Sequence, residues 1–184
     1  MRELPDSAAS VGFANPLEFL CGSHREIERY LSSLIRITEE SRDGRIRERE
    51  TFVRVLRQLS GIAFGHTVDE EESLFPRLRC TGRTEGEGAL RRLETLEEEH
   101  GCADKAHGEV DRLARHWLAS GQVPPAEANR LTALLTGLAD LYRRHIQVEE
   151  SDVFPQAARS LAPDDLKSIV AEMRERRAMG RNAQ

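Results

Sequence analysis

Residues His66–Pro76 read HTVDEEESLFP, and residues His145–Pro155 read HIQVEESDVFP. They share a histidine, a Glu-Glu pair and a Phe-Pro pair at identical offsets, the mark of an internal repeat. In each copy a glutamate follows the histidine by four residues: Glu70 after His66, and Glu149 after His145. On a helix that spacing is about one turn with some 40° of rotation, so the two side chains reach the same place. The apolar residues upstream fall in step with them. Phe52, Leu56, Leu59 and Ala63 lead to His66 and Glu70; Leu131, Leu135, Leu138 and Tyr142 lead to His145 and Glu149. Both polar pairs therefore continue the stripe that a helix buries.

Two further helices carry the same kind of stripe. One presents Leu17, Leu20, His24, Ile27 and Leu31; the other presents Leu93, Leu96, His100, Ala103, His107 and Val110. The first helix should run from Pro16 to Glu40, with Asn15 as its N-cap, Pro16 at the first position and Glu18 three residues after the cap. Ser41–Gly44 reads as a turn, and the second helix is expected from about Ile46 to Leu74, limited by Pro76. Thr81–Gly88 reads as a flexible polar loop. The third helix is expected from about Ala89 to Ala119, and the fourth from about Ala126 to Phe154, where Pro155 kinks or ends it. A last amphipathic helix, Pro163 to Arg177, places Leu166, Ile169, Val170 and Met173 on one stripe, to pack across the bundle or against a partner subunit.

Short connections force neighbouring helices to run in opposite directions. The expected fold is therefore all-α: an antiparallel up-down-up-down four-helix bundle with a short C-terminal helix. A chain of 184 residues with 39% hydrophobic residues suits one compact domain. Residues 1–14 are expected as a flexible N-terminal segment, 15–160 as the bundle, and 161–184 as the C-terminal helix and tail.

Depth along the bundle tests whether the histidines meet. At 1.5 Å per residue, His24, His66, His100 and His145 all lie roughly 12 to 17 Å from the same end. Four imidazoles and two carboxylates in one core layer would lose water with no assured partner, and a cation relieves that penalty. Nitrogen and oxygen donors without thiolate suit iron, manganese or zinc, and carboxylates between facing helices are how bundles hold two metals.

The pattern of His24, then His66 with Glu70, then His100, then His145 with Glu149, with both Glu-bearing segments ending in Phe-Pro, resembles the hemerythrin-like, HHE cation-binding family. The resemblance covers about Asn15 to Pro155. It implies a non-haem di-iron centre, two iron ions with an oxo or hydroxo bridge, with zinc or manganese as alternatives. His24, His66, Glu70, His100, His145 and Glu149 would be the ligands, and Glu70 and Glu149 the bridges. Oxygen-carrying members place a second histidine four residues after the third-helix one, where this chain has Asp104. Asp104 either binds a metal itself or leaves a position for water, oxygen, peroxide or nitric oxide.

The remaining candidates read as supporting parts. His107 is about 10.5 Å along the helix from His100, too far to share its centre easily, and fits an interior polar role. Tyr142, one turn before His145, either hydrogen-bonds a ligand at the centre or packs as a core residue. Glu28 is expected in a salt bridge, His116 in a structural role beside Trp117, and Cys21 as an ordinary buried thiol. The acidic runs Asp69–Glu72 and Glu97–Glu99, Glu70 aside, read as solvated helix faces.

Composition narrows the function. A formal charge of −5 and the short Arg174–Arg177 run RERR leave nothing large for nucleic acid or an anionic membrane to bind. No apolar run approaches the roughly 20 residues of a membrane span, and the N-terminus lacks a secretory layout, which suggests a cytoplasmic protein. Cys21, Cys80 and Cys102 have neither paired nor metal-type spacing, so reduced thiols are expected. The leading function is a metal-binding protein that binds or senses oxygen, peroxide, nitric oxide or iron. The alternatives are a peroxide-decomposing or oxidase-type enzyme, and a structural bundle that binds adventitious metal and dimerises through its terminal helix.

Overall fold

The computed structural model describes residues 14–81 and 87–182, and among these the regular structure is helical. The expected N-terminal segment up to residue 13 and the middle of the Thr81–Gly88 loop lie outside the described residues. Helix α1 spans Pro16–Glu40, the bounds its sequence suggests. Asn15 is extended, and its side-chain oxygen accepts the Leu17 N–H at 3.0 Å. That bond satisfies one of the orphan donors of the first turn.

Beyond α1 the chain turns at Gly44, whose φ of 83° lies in the left-handed region that glycine enters without strain. The Gly44 carbonyl accepts the Val123 N–H at 3.0 Å and the Trp117 indole N–H at 2.7 Å. A β-carbon at residue 44 would sit 1.9 Å from the Val123 carbonyl oxygen, so this close approach also requires glycine. Arg45 forms an isolated antiparallel bridge with Gln122, and α2 accordingly starts at Arg49 rather than Ile46.

Helix α2, Arg49–Asp69, does not stop at Pro76. It widens into one π-helical turn, Glu70–Leu74, then resumes as α3, Phe75–Thr81. The Phe75 N–H bonds the Glu70 carbonyl five residues back. A proline breaks a regular helix because it lacks an N–H and its ring meets the carbonyl four residues earlier. Here the register has just shifted, and Pro76 falls in the first turn of the resumed segment, where neither objection applies. The second repeat does the same. Helix α4, Glu87–Ser120, leads to α5, Pro125–Val148, then a π turn at Glu149–Val153 and α6 at Phe154–Ser160, with Pro155 in the first turn of α6.

Two apolar clusters fill the interior. One joins Ile27, Leu31, Leu34, Phe52, Leu59 and Trp117 toward the Gly44 end, with residues of α5 such as Leu135 and Leu138. The other joins Leu17, Leu20, Leu74, Phe75, Leu96 and Phe154 with further residues toward the opposite end. Helices α1 and α4 run from the second cluster into the first, and α2 and α5 run back. On every one of them the histidine lies between the clusters, so the four define a polar layer between two dry ones.

Helix α7, Pro163–Asn182, is longer than expected and packs on the bundle. Ile169 and Met173 enter the second cluster and Val170 is buried, so this apolar stripe is covered within the chain. Polar contacts fix the helix in place. Arg77 and Glu172 pair at 2.6 Å, Arg176 bonds Ser73 at 2.7 Å and Asp69 at 2.9 Å, and Arg177 also bonds Asp69. Asp69 is 1% exposed, which corrects its reading as part of a solvated face; the basic partners from α7 supply what burial removes. Replacing Asp69 with alanine would remove the one carboxylate that Arg176 and Arg177 share at this joint. Because both arginines are partly exposed, the expected loss of stability is about 2 kcal/mol, read from the midpoint of urea unfolding.

Candidate metal centre

The polar layer brings all six sequence-selected residues together. His24, His66, Glu70, His100, His145 and Glu149 are each no more than 5% exposed. They form two groups that share both carboxylates: His24, His66, Glu70 and Glu149, and His100, His145, Glu70 and Glu149. Within each group one ligand atom per residue lies within 4.8 Å of every other. The imidazoles turn Nε2 inward. His24 Nε2 is 3.1 Å from His66 Nε2 and 3.1 Å from Glu149 Oε2, while His145 Nε2 is 3.0 Å from Glu149 Oε1. Glu70 Oε2 stands 3.3 Å from His66 Nε2 and 3.4 Å from His100 Nε2. Each carboxylate thus touches one histidine of each pair.

Both π turns begin at these glutamates. The extra residue per turn rotates the downstream segment, so Phe75 stacks on His100 and Phe154 stacks on His24, near parallel at 6.1 and 5.5 Å between ring centres. The repeated Phe is therefore a lid over the histidine of the other half.

Three histidines hold a carboxylate on their outer nitrogen. Nδ1 of His24 faces Glu150, Nδ1 of His100 faces Glu71, and Nδ1 of His145 faces Glu99, each at 2.8 Å. Such an acceptor fixes the tautomer, with the proton on Nδ1 and the lone pair of Nε2 aimed at the centre. Glu71 and Glu99, which sequence alone assigns to solvated faces, are instead part of the site. The second glutamate of each repeat was the available signal, since Glu71 and Glu150 recur at one offset.

Burial and charge leave this layer in electrostatic conflict. Burial, then the charge of Glu149, drives the Glu70 carboxyl well above the usual carboxylate range. Burial opposes ionisation of Glu149 too, but the imidazoles of His145 and His24 beside it hold it below that range. Burial and the neighbouring His24 push His66 well below its ordinary value. Both oxygens of Glu70 and Glu149, and Nε2 of His100 and His145, are buried without a hydrogen-bond partner. Orphaned acceptors in a dry core are rare. A cation held among these donors would satisfy them together and offset the carboxylate charge, so the donor set fits a metal.

The other candidates divide. Asp104 is exposed and belongs to neither ligand group. His107 bonds the Tyr142 hydroxyl at 3.0 Å, an interior polar role as expected, and Tyr142 is 3% exposed. Burial, then the charges of Glu70 and Glu149, raise the Tyr142 hydroxyl and keep it protonated beside the centre. Glu28 is exposed, and the salt bridge expected of it is absent among the described residues. His116 stands at the surface 3.6 Å from Glu127. Cys21 is partly buried, and burial and Glu150 push its thiol up to about 11; Cys80 and Cys102 are exposed.

No helix among the described residues is long and apolar enough to cross a membrane. Comparison with curated proteins and with solved structures gives no match. The profile of the hemerythrin HHE cation-binding domain matches residues 15–157. That span runs from the Asn15 cap past both Phe-Pro pairs and takes in all six residues of the layer, so the chain belongs to the hemerythrin HHE cation-binding family.

Proposed function

We propose that this chain is a di-iron protein that binds or senses a small ligand: oxygen, peroxide, nitric oxide or iron itself. His24 and His66 would hold one ion, His100 and His145 the other, and Glu70 and Glu149 would bridge them. The observation that carries this reading is the sharing of two buried, partnerless carboxylates between two histidine pairs. Iron supplies redox chemistry and affinity for small ligands when bound.

The surroundings support ligand binding over a closed structural site. Each group offers four protein donors, and Asp104, at the position that would supply a fifth histidine, faces solvent. Tyr142 keeps a protonated hydroxyl near the bridging carboxylates and is steadied by His107. A buried phenol placed this way orients a polar ligand without adding charge.

Metal content and the near-ultraviolet and visible spectrum, measured on protein from iron-replete cells in air and after reduction, test the proposal. About two irons per chain with the absorption of a coupled ferric pair is the expected result. A failure to take up iron on reconstitution, or one tightly held zinc with unchanged folding, overturns it in favour of a structural bundle.

A further inference from the structure

The repeat that builds the layer breaks at one atom. Glu150, the second glutamate of one repeat, accepts from His24 on α1, and Glu71, its counterpart, accepts from His100 on α4. Of the other two histidines, His145 looks instead to the residue just before the histidine on α4. That residue is Glu99, 2.8 Å from His145 Nδ1. On α1 the matching position is Ser23, a shorter side chain whose hydroxyl turns back to the Phe19 carbonyl at 3.3 Å. His66 Nδ1 is left buried with no hydrogen-bond partner.

This difference falls wholly on one side of the shared carboxylates. Both histidines of the His100–His145 pair have their outer nitrogens bonded to carboxylates, whereas only His24 does in the His24–His66 pair. A carboxylate on Nδ1–H makes Nε2 a better donor and holds the ring in the orientation a metal needs; losing it commonly lowers metal affinity about 10- to 100-fold. Glu70 and Glu149 belong to both groups and so do not separate the two positions.

We propose that the two ion positions are unequal: the one between His100 and His145 fills first and empties last, and the one between His24 and His66 is the exchangeable position. The inference rests on the two-ion reading above. Glu99 is thereby a positioning residue for the tight site, and the unpartnered outer nitrogen of His66 is what makes the other site weak.

Cobalt(II) titration of the metal-free full-length chain tests this, with calorimetry and chelator competition giving affinities and circular dichroism confirming retained helicity. Two steps separated about 10- to 100-fold are expected. His66→Ala should keep one ion within about threefold of the first wild-type step, and His145→Ala should lose that step. Glu99→Gln, at a partly exposed carboxylate, should weaken the first step about 10- to 100-fold with unchanged helicity. If cooperativity merges the wild-type steps, the alanine variants decide: retention in His66→Ala alone supports the inference, and retention in His145→Ala alone, in both equally or in neither overturns it. Equal wild-type steps with no effect of Glu99→Gln overturn inequality while leaving the two-ion reading intact. Absence of binding to the wild-type chain overturns the two-ion reading itself.

Discussion

Iron(II) added anaerobically to the metal-free protein is expected to raise its melting temperature by about 10 °C, measured by calorimetry with and without a chelator. An ion present at about a thousand times its dissociation constant stabilises the fold that binds it by about 4 kcal/mol. For a chain of this length each kcal/mol shifts the midpoint by roughly 2–4 °C. The gain is large because the metal-free fold carries a penalty that the metal removes. Glu70 and Glu149 are 0% exposed, their oxygens have no hydrogen-bond partners, and the imidazoles around them are buried too. Hydrogen exchange should slow most in the π turns Glu70–Leu74 and Glu149–Val153, which carry those carboxylates. An unchanged melting temperature at saturating iron would mean that the layer is a self-sufficient polar core.

The layer was legible in the sequence because periodicity and a repeat agreed. His24, His66, His100 and His145 fall on apolar stripes, and stripe membership is decided by neighbours three and four residues away. The bounds of α1 were legible for a similar reason, since Asn15 and Pro16 act within one turn. What remained hidden depends on partners remote in the chain. Glu99 meets His145 across 46 residues, and Asp69 meets Arg176 across 107. Local composition shows only an acidic run in both places, and an acidic run far from its partner looks like a solvated face. The helix does not end at Pro76, and at Pro155, where a kink or an end is expected, it continues after a π turn; a shift in hydrogen-bond register leaves no residue signature of its own.

The repeat therefore becomes a division of labour once folded. Its histidine and first glutamate face the layer, its second glutamate holds the outer nitrogen of a histidine in the other half, and its phenylalanine covers that same ring. The π turn is what lets one short segment do all of this. It starts at the inward glutamate and delivers the phenylalanine to the opposite helix, and the proline comes next, where the register shift tolerates it. Each half thereby orients the other, and neither pair of helices has a complete layer by itself.

Glu70→Gln is expected to separate stability from metal binding. In the metal-free protein the variant should melt at the wild-type temperature or up to about 3 °C above it, a gain of about 1 kcal/mol. Burial and the charge of Glu149 already drive the Glu70 carboxyl toward its neutral form, and an amide of the same shape is neutral without needing a proton. The cost of holding that acid neutral beside Glu149 is removed while packing is kept. Metal binding should suffer severely, because a neutral amide is a poor ligand and cannot bridge two cations as a carboxylate does. The iron-dependent rise of about 10 °C should shrink to less than about 2 °C, as measured by the same calorimetric pair of scans. A metal-free variant less stable than wild type by more than about 2 kcal/mol would show instead that the fold depends on the Glu70 carboxylate itself. The expected opposition of signs comes from where the charge sits: an acid buried among histidines weakens the empty fold and becomes an asset only when a cation joins it.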